Sequence, residues 1–166
     1  MIEPSVSLYG QGLQRVTDHL GALLQKSHSL YAMLIDRKGF VLAHRESLWA
    51  PRPPSLDSIA TLVAGNFATT AALARMLGET KFTELVHQGE KTGLYLEEVD
   101  DRTLLLVVFD QSTPIGRVKL FVKKAVADVG NVLRESPADK SETDAFDFGD
   151  DFTKSVDALL DDLFKE

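Results

Sequence analysis

Cysteine is absent from the 166 residues. Disulfides and thiolate metal sites are therefore excluded, and nothing implies an oxidising compartment. Met1 to Gly10 lacks a basic stretch followed by a long apolar run, so no signal peptide is expected. No stretch reads as long enough to span a bilayer, and the expected location is the cytoplasm. The four histidines, His19, His28, His44 and His87, are scattered without ligand spacing, so no metal site is expected. A nucleophile elbow, a dinucleotide fingerprint and an HExxH pair are also missing. No catalytic residue and no cofactor is assigned.

What is present describes a globular chain. Hydrophobic residues make up 44% and charged residues 26%, enough for one domain with a core. The net charge of −7 is unevenly placed. Residues 1–136 balance 15 Lys/Arg against 15 Asp/Glu, whereas residues 137–166 hold 3 against 10. A neutral body with an acidic tail argues against nucleic acid or an anionic membrane as partner.

Apolar periodicity outlines the elements. Leu13, Val16, Leu20, Leu23 and Leu24 recur at gaps that make residues 10–27 an amphipathic helix. Tyr31–Ile35 and Phe40–Leu42 flank Asp36-Arg37-Lys38-Gly39, a hairpin whose Gly39 supplies the left-handed turn position. Reading that turn as a nucleotide loop fails, because the P-loop spacing is missing. The prolines of residues 50–54 precede a long helix over 56–77, capped by Ser55 or Asp57 and stopped at Gly78. Lys81–Glu90, Leu94–Val99 and Thr103–Phe109 are predicted as strands. After Pro114 a last helix carries Ile115, Val118, Val122, Ala125, Val129 and Val132 on one side, although Val118–Val122 alone has β propensity. Tyr31–Ile35 and Leu104–Phe109 are apolar on both faces, which places them mid-sheet under helices on both sides. The expected fold is an α/β three-layer sandwich with a five-stranded, mostly antiparallel sheet, in the order α-β-β-α-β-β-β-α. The domain covers residues 1–136, followed by a flexible linker over 137–149 and an acidic helix over 150–166.

Two surfaces stand out. On a helical wheel of residues 56–77, Ile59, Leu62, Val63, Leu73 and Leu77 gather on a side expected to face the sheet. Ala64, Ala68, Ala71, Ala72 and Arg75 gather opposite, where a solvent-facing helix normally carries Glu and Lys. That small-residue face lets another backbone approach, although Ala also occurs simply as a helix former. Asn66 and Thr70 fall on the apolar side and need hydrogen-bond partners if buried. In the tail, Phe152, Val156, Leu159, Leu160, Leu163 and Phe164 form an apolar stripe opposite Asp151, Asp157, Asp161 and Asp162. Such a short helix is marginal alone, so it either packs on its own domain or folds into a partner's groove.

YAMLIDRKGFVL (31–42), LVAGNFATTAALARMLGE (62–79), HQGEKTGLYLEEV (87–99) and LLLVVFDQSTPIGRVKL (104–120) resemble, in order, segments of the roadblock/dynein-light-chain family. The resemblance is strongest to bacterial MglB-type members and covers about residues 8–135. It implies a homodimer formed by pairing central helices, with Ala60, Thr61, Gly65, Asn66 and Thr69 at the interface, and by joining sheets at an edge. It implies a platform, here Ala64, Ala68, Ala72 and Arg75, that binds a small Ras-like GTPase of the MglA type in cell polarity and motility. The implied role is a GTPase-activating protein that holds the GTPase's own switch residues, concentrated at a cell pole. The stripe Phe152, Val156, Leu159, Leu160, Leu163 and Phe164 would touch the GTPase at a second place. A scaffold that binds without accelerating hydrolysis is the rival expectation. A small-molecule sensor has no converging polar groups in its favour.

Overall fold

The computed structural model describes residues 3–135 together with 158, 159, 161 and 162. Eight elements follow in order: α1 (Gly10–Ser27), β1 (Tyr31–Asp36), β2 (Val41–Glu46), α2 (Leu56–Met76), β3 (Glu84–Gln88), β4 (Thr92–Glu98), β5 (Thr103–Asp110) and α3 (Ile115–Glu135). The strands form one sheet in the order β2-β1-β5-β4-β3, every neighbouring pair antiparallel. The predicted α-β-β-α-β-β-β-α order and three-layer architecture are thus the observed ones.

Both central strands, β1 and β5, are buried on both faces, which explains their unbroken apolar runs. Alternation along them divides the core in two. Ala32, Leu34, Leu105, Val107 and Phe109 pack against Val16, Leu20, Leu23 and Leu24 of α1 and Val118, Val122 and Val129 of α3. Met33, Ile35, Leu104 and Leu106 face the other way, toward Ala60, Val63 and Phe67 of α2. Among the described residues, two helices therefore cover one face of the sheet and a single helix covers the other.

Helix ends follow the expected chemistry. Ser55 Oγ accepts a hydrogen bond from Ser58 N at 3.3 Å, capping α2. Beyond its other end, Gly78 has φ +80°, and Glu79 N donates to Ala74 O at 2.9 Å, closing a Schellman turn. His28 ends α1 in the left-handed region, an unusual place for a residue with a Cβ. Two contacts hold it there. Its ring stacks on Trp49 at 4.6 Å, and its carbonyl accepts from Thr113 Oγ1 at 2.8 Å.

Two expectations need correction. The third strand is shorter than Lys81–Glu90, because its register with β4 runs only from Glu84↔Glu97 to Gln88↔Gly93 before the turn closes. The last helix is as expected, and Val118–Val122 is part of it despite its β propensity, with Val118 and Val122 one turn apart in the core under α3. Finally, α2 does reach a membrane-spanning length, with 21 residues and a mean hydropathy of 1.2 over its most apolar 18 residues. One side of it is instead fitted to the sheet through Ala60, Ala64 and Ala74.

Candidate interaction surface

Helix α2 meets the sheet through small side chains. Ala60, Ala64 and Ala74 are buried, and Ile59, Val63 and Phe67 are half-buried beside them. Alanines let the helix axis approach Met33, Ile35 and Leu106, whose bulk fills the intervening space. The larger side chains point outward: Leu62 is 74% exposed, Met76 71% and Leu77 66%, with Leu73 also exposed.

The helix is therefore rotated relative to the helical-wheel assignment. Leu62, Leu73 and Leu77 do not face the sheet, whereas Ala60 and Ala64 do. Ala64 cannot serve as a platform residue, nor Ala60 as a dimer contact, because each is buried within its own domain. Ala68 and Arg75 are exposed and Ala72 is half-buried. Thr61, Gly65, Asn66 and Thr69 are likewise exposed. Two threonine hydroxyls are satisfied within the helix, Thr61 Oγ1 donating to Asp57 O at 2.9 Å and Thr69 Oγ1 to Gly65 O at 3.0 Å. The surface is consequently more apolar than a face of Ala, Gly and Thr.

Beside α2 lies an open cleft of about 330 Å³. Leu62, Val63 and Asn66 form one wall, Leu85 and His87 of β3 the other, and Leu94, Leu96 and Leu106 the floor. The cleft exists because one helix cannot roof five strands. Among the described residues β3 pairs only with β4, so the cleft opens beside the edge of the described sheet. No charged carboxylate or ammonium lines it, and among the described residues no group of acidic and histidine side chains could hold a metal. The lining is apolar apart from Asn66 and His87.

The opposite face anchors that edge strand. Tyr95, fully buried in β4, places its hydroxyl 2.9 Å from both Glu84 Oε2 and Glu97 Oε2. Glu84 and Glu97 are direct cross-strand partners, an unfavourable like-charge pair taken alone. Lys119 Nζ at 2.8 Å from Glu84 and Lys123 Nζ at 3.6 Å from Glu97 offset it from α3. The Lys119 hydrogen bond holds the Glu84 carboxyl below its ordinary range, opposed by desolvation. Burial, then the hydrogen bonds to Glu97 and Glu84, pushes the Tyr95 hydroxyl far above its usual range. This network gave no sequence signal, since its members lie on three elements.

Of the tail stripe, Leu159 is helical and 64% exposed. Phe152, Val156, Leu160, Leu163 and Phe164 lie outside the described residues, as does the linker 137–149.

The Roadblock/LC7 domain model matches residues 15–109. A solved structure of gliding protein MglB from Thermus thermophilus is 52% identical, with a TM-score of 0.79 over 81% of this chain and 100% of that one. A structure described as MglB with tetrameric arrangement is 51% identical, with the same TM-score over 81% of this chain and 98% of that one. Myxococcus xanthus MglB is 27% identical, with a TM-score of 0.70 over 78% and 95%. A comparison with curated proteins finds no match.

Proposed function

Because the chain belongs to the Roadblock/LC7 family and is of the MglB type, we propose that it is a dimeric regulator of a small Ras-like GTPase of the MglA type, a GTPase-activating protein without bond-making chemistry of its own. The observation that carries this reading is the exposed apolar side of α2 beside the uncovered cleft. An isolated domain gains nothing by exposing Leu62, Leu73, Met76 and Leu77 on one helix, and contiguous apolar surface of this kind marks an interaction site. A second copy roofs the cleft, and the paired helices offer Ala68, Ala72 and Arg75 to the GTPase. Activation comes from ordering the GTPase's own switch residues, since phosphoryl transfer depends chiefly on positioning and electrostatics. The tail stripe makes a second contact with the GTPase. The protein acts in the cytoplasm, concentrated at a cell pole, in polarity and motility.

The deciding experiment measures GTP hydrolysis by the MglA-type GTPase of the same genome with and without this chain. Stimulation that an Ala68→Arg/Ala72→Arg variant loses while staying folded is the expected result. Binding without any change in rate identifies a scaffold instead. Unaltered stimulation by the variant removes the platform from α2.

A further inference from the structure

The partner-facing half of α2 has little holding it to the rest of the molecule. Phe67 is the last large side chain that α2 sends into the core on that face. From Ala68 to Met76 only Ala74 is fully buried, while Leu73 and Met76 point outward. This is the stretch that carries Ala68, Ala72 and Arg75.

Above the sheet contacts, a charged side chain also reaches Phe67 from outside the helix. Arg37, in the β1–β2 turn, lays its guanidinium over the Phe67 ring, 5.1 Å from the centroid. The same guanidinium donates from Nη2 to Glu98 Oε1 of β4 at 2.7 Å. Glu98 also takes Lys81, from the connection after α2, at 3.6 Å. Its carboxylate is largely shielded, with a side-chain exposure of 16%. Arg37 thus joins a turn, a strand and the helix, and Lys81 returns the chain leaving α2 to the same carboxylate.

The turn itself is rigid. Asp36 is fully buried, and its Oδ1 accepts from Lys38 N and Phe40 N, each at 3.0 Å. Its Oδ2 accepts from Ser5 N at 2.7 Å and Ser5 Oγ at 2.9 Å, tying the N-terminal segment across the turn. Arg37 N donates to Arg102 O at 3.0 Å, fastening the turn to the β4–β5 turn. Gly39 lies against the α2 backbone at Thr61, where an added Cβ would sit 2.9 Å from the Thr61 Cα. Any force on Arg37 is therefore borne by a turn braced on three sides.

We propose that Arg37 is the positioning residue for the partner-facing half of α2, acting through Phe67 and Glu98 to fix where Ala68, Ala72 and Arg75 are presented. A flat guanidinium does two things here that an ammonium cannot combine. It stacks on a ring face and directs its edge hydrogen bonds to a carboxylate. The proposal rests on the reading of α2 as the partner surface, and its test separates the two.

Hydrogen exchange is measured on the full chain and on Arg37→Ala, Arg37→Lys, Phe67→Leu and the Arg37→Ala/Phe67→Leu double variant. In Arg37→Ala, amides of residues 68–76 are expected to exchange about tenfold faster, as in a local opening, with β1 and β5 unchanged. Arg37→Lys falls between, because it keeps the charge at Glu98 and loses the stacking. The double variant exceeds Arg37→Ala by less than Phe67→Leu exceeds the native chain, because the two changes share one contact. Stimulated GTP hydrolysis at saturating regulator then falls in the same order. Unchanged exchange over 68–76, equal acceleration throughout the sheet, or faster exchange with full stimulation each overturns the proposal. If the native chain stimulates no GTPase, the regulatory reading fails by itself, and exchange still decides whether Arg37 holds the helix.

Discussion

Alanine means two different things along α2. At positions 60 and 64 it is a spacer between helix and sheet, and at position 68 it is open surface. Ala60→Leu is expected to cost about 1–3 kcal/mol by overpacking, seen as a lower melting temperature. Ala68→Arg should leave melting unchanged and weaken association. Gly39 carries a different constraint. Its φ is +94° and its missing Cβ leaves room for the Thr61 backbone, so Gly39→Ala should destabilise by at least about 1 kcal/mol. A urea titration checks it. Glu84 links stability to pH. Its folded-state value lies below the ordinary 4.5, so its contribution is present above that pH and lost as pH falls through the depressed value. Glu84→Gln should therefore flatten the acid limb of a stability–pH curve below about pH 4.5.

At the scale of elements, most of the fold was legible in the sequence. α1, the β1–β2 hairpin and α2 were readable because caps, glycines and apolar spacing all agreed there. The rotation of α2 was not. Ranking side chains by size points the leucines inward, whereas close packing on a sheet already filled by Met33, Ile35 and Leu106 selects the alanines. The small-residue stripe was thus real, but part of it is the helix's inner side. The Tyr95–Glu84–Glu97 network and the Arg37–Phe67–Glu98 contact escaped because each depends on strand register and on which elements meet, which no residue spacing encodes. For the acidic tail, deletion of residues 149–166 should leave the melting temperature unchanged and reduce GTPase regulation. A large fall in melting temperature would assign the stripe to its own domain instead.

At the largest scale, the decisive property is unequal cover: among the described residues, two helices lie on one face of the sheet and one on the other. Light scattering should therefore give a dimer mass, and Leu62→Asp should shift it toward monomer by placing a carboxylate beside the apolar cleft. A monomer at micromolar concentration in the native chain would sink the dimer reading. The strand order has a further consequence in time rather than in space. Strand β1 sits between β2, its neighbour in the chain, and β5, made only at residues 103–110. On the ribosome the first hairpin must wait, one edge unpaired, until almost the entire domain has emerged. Loop closure makes that pairing slow, so the growing chain is most exposed to sticking to its neighbours just before β5 arrives.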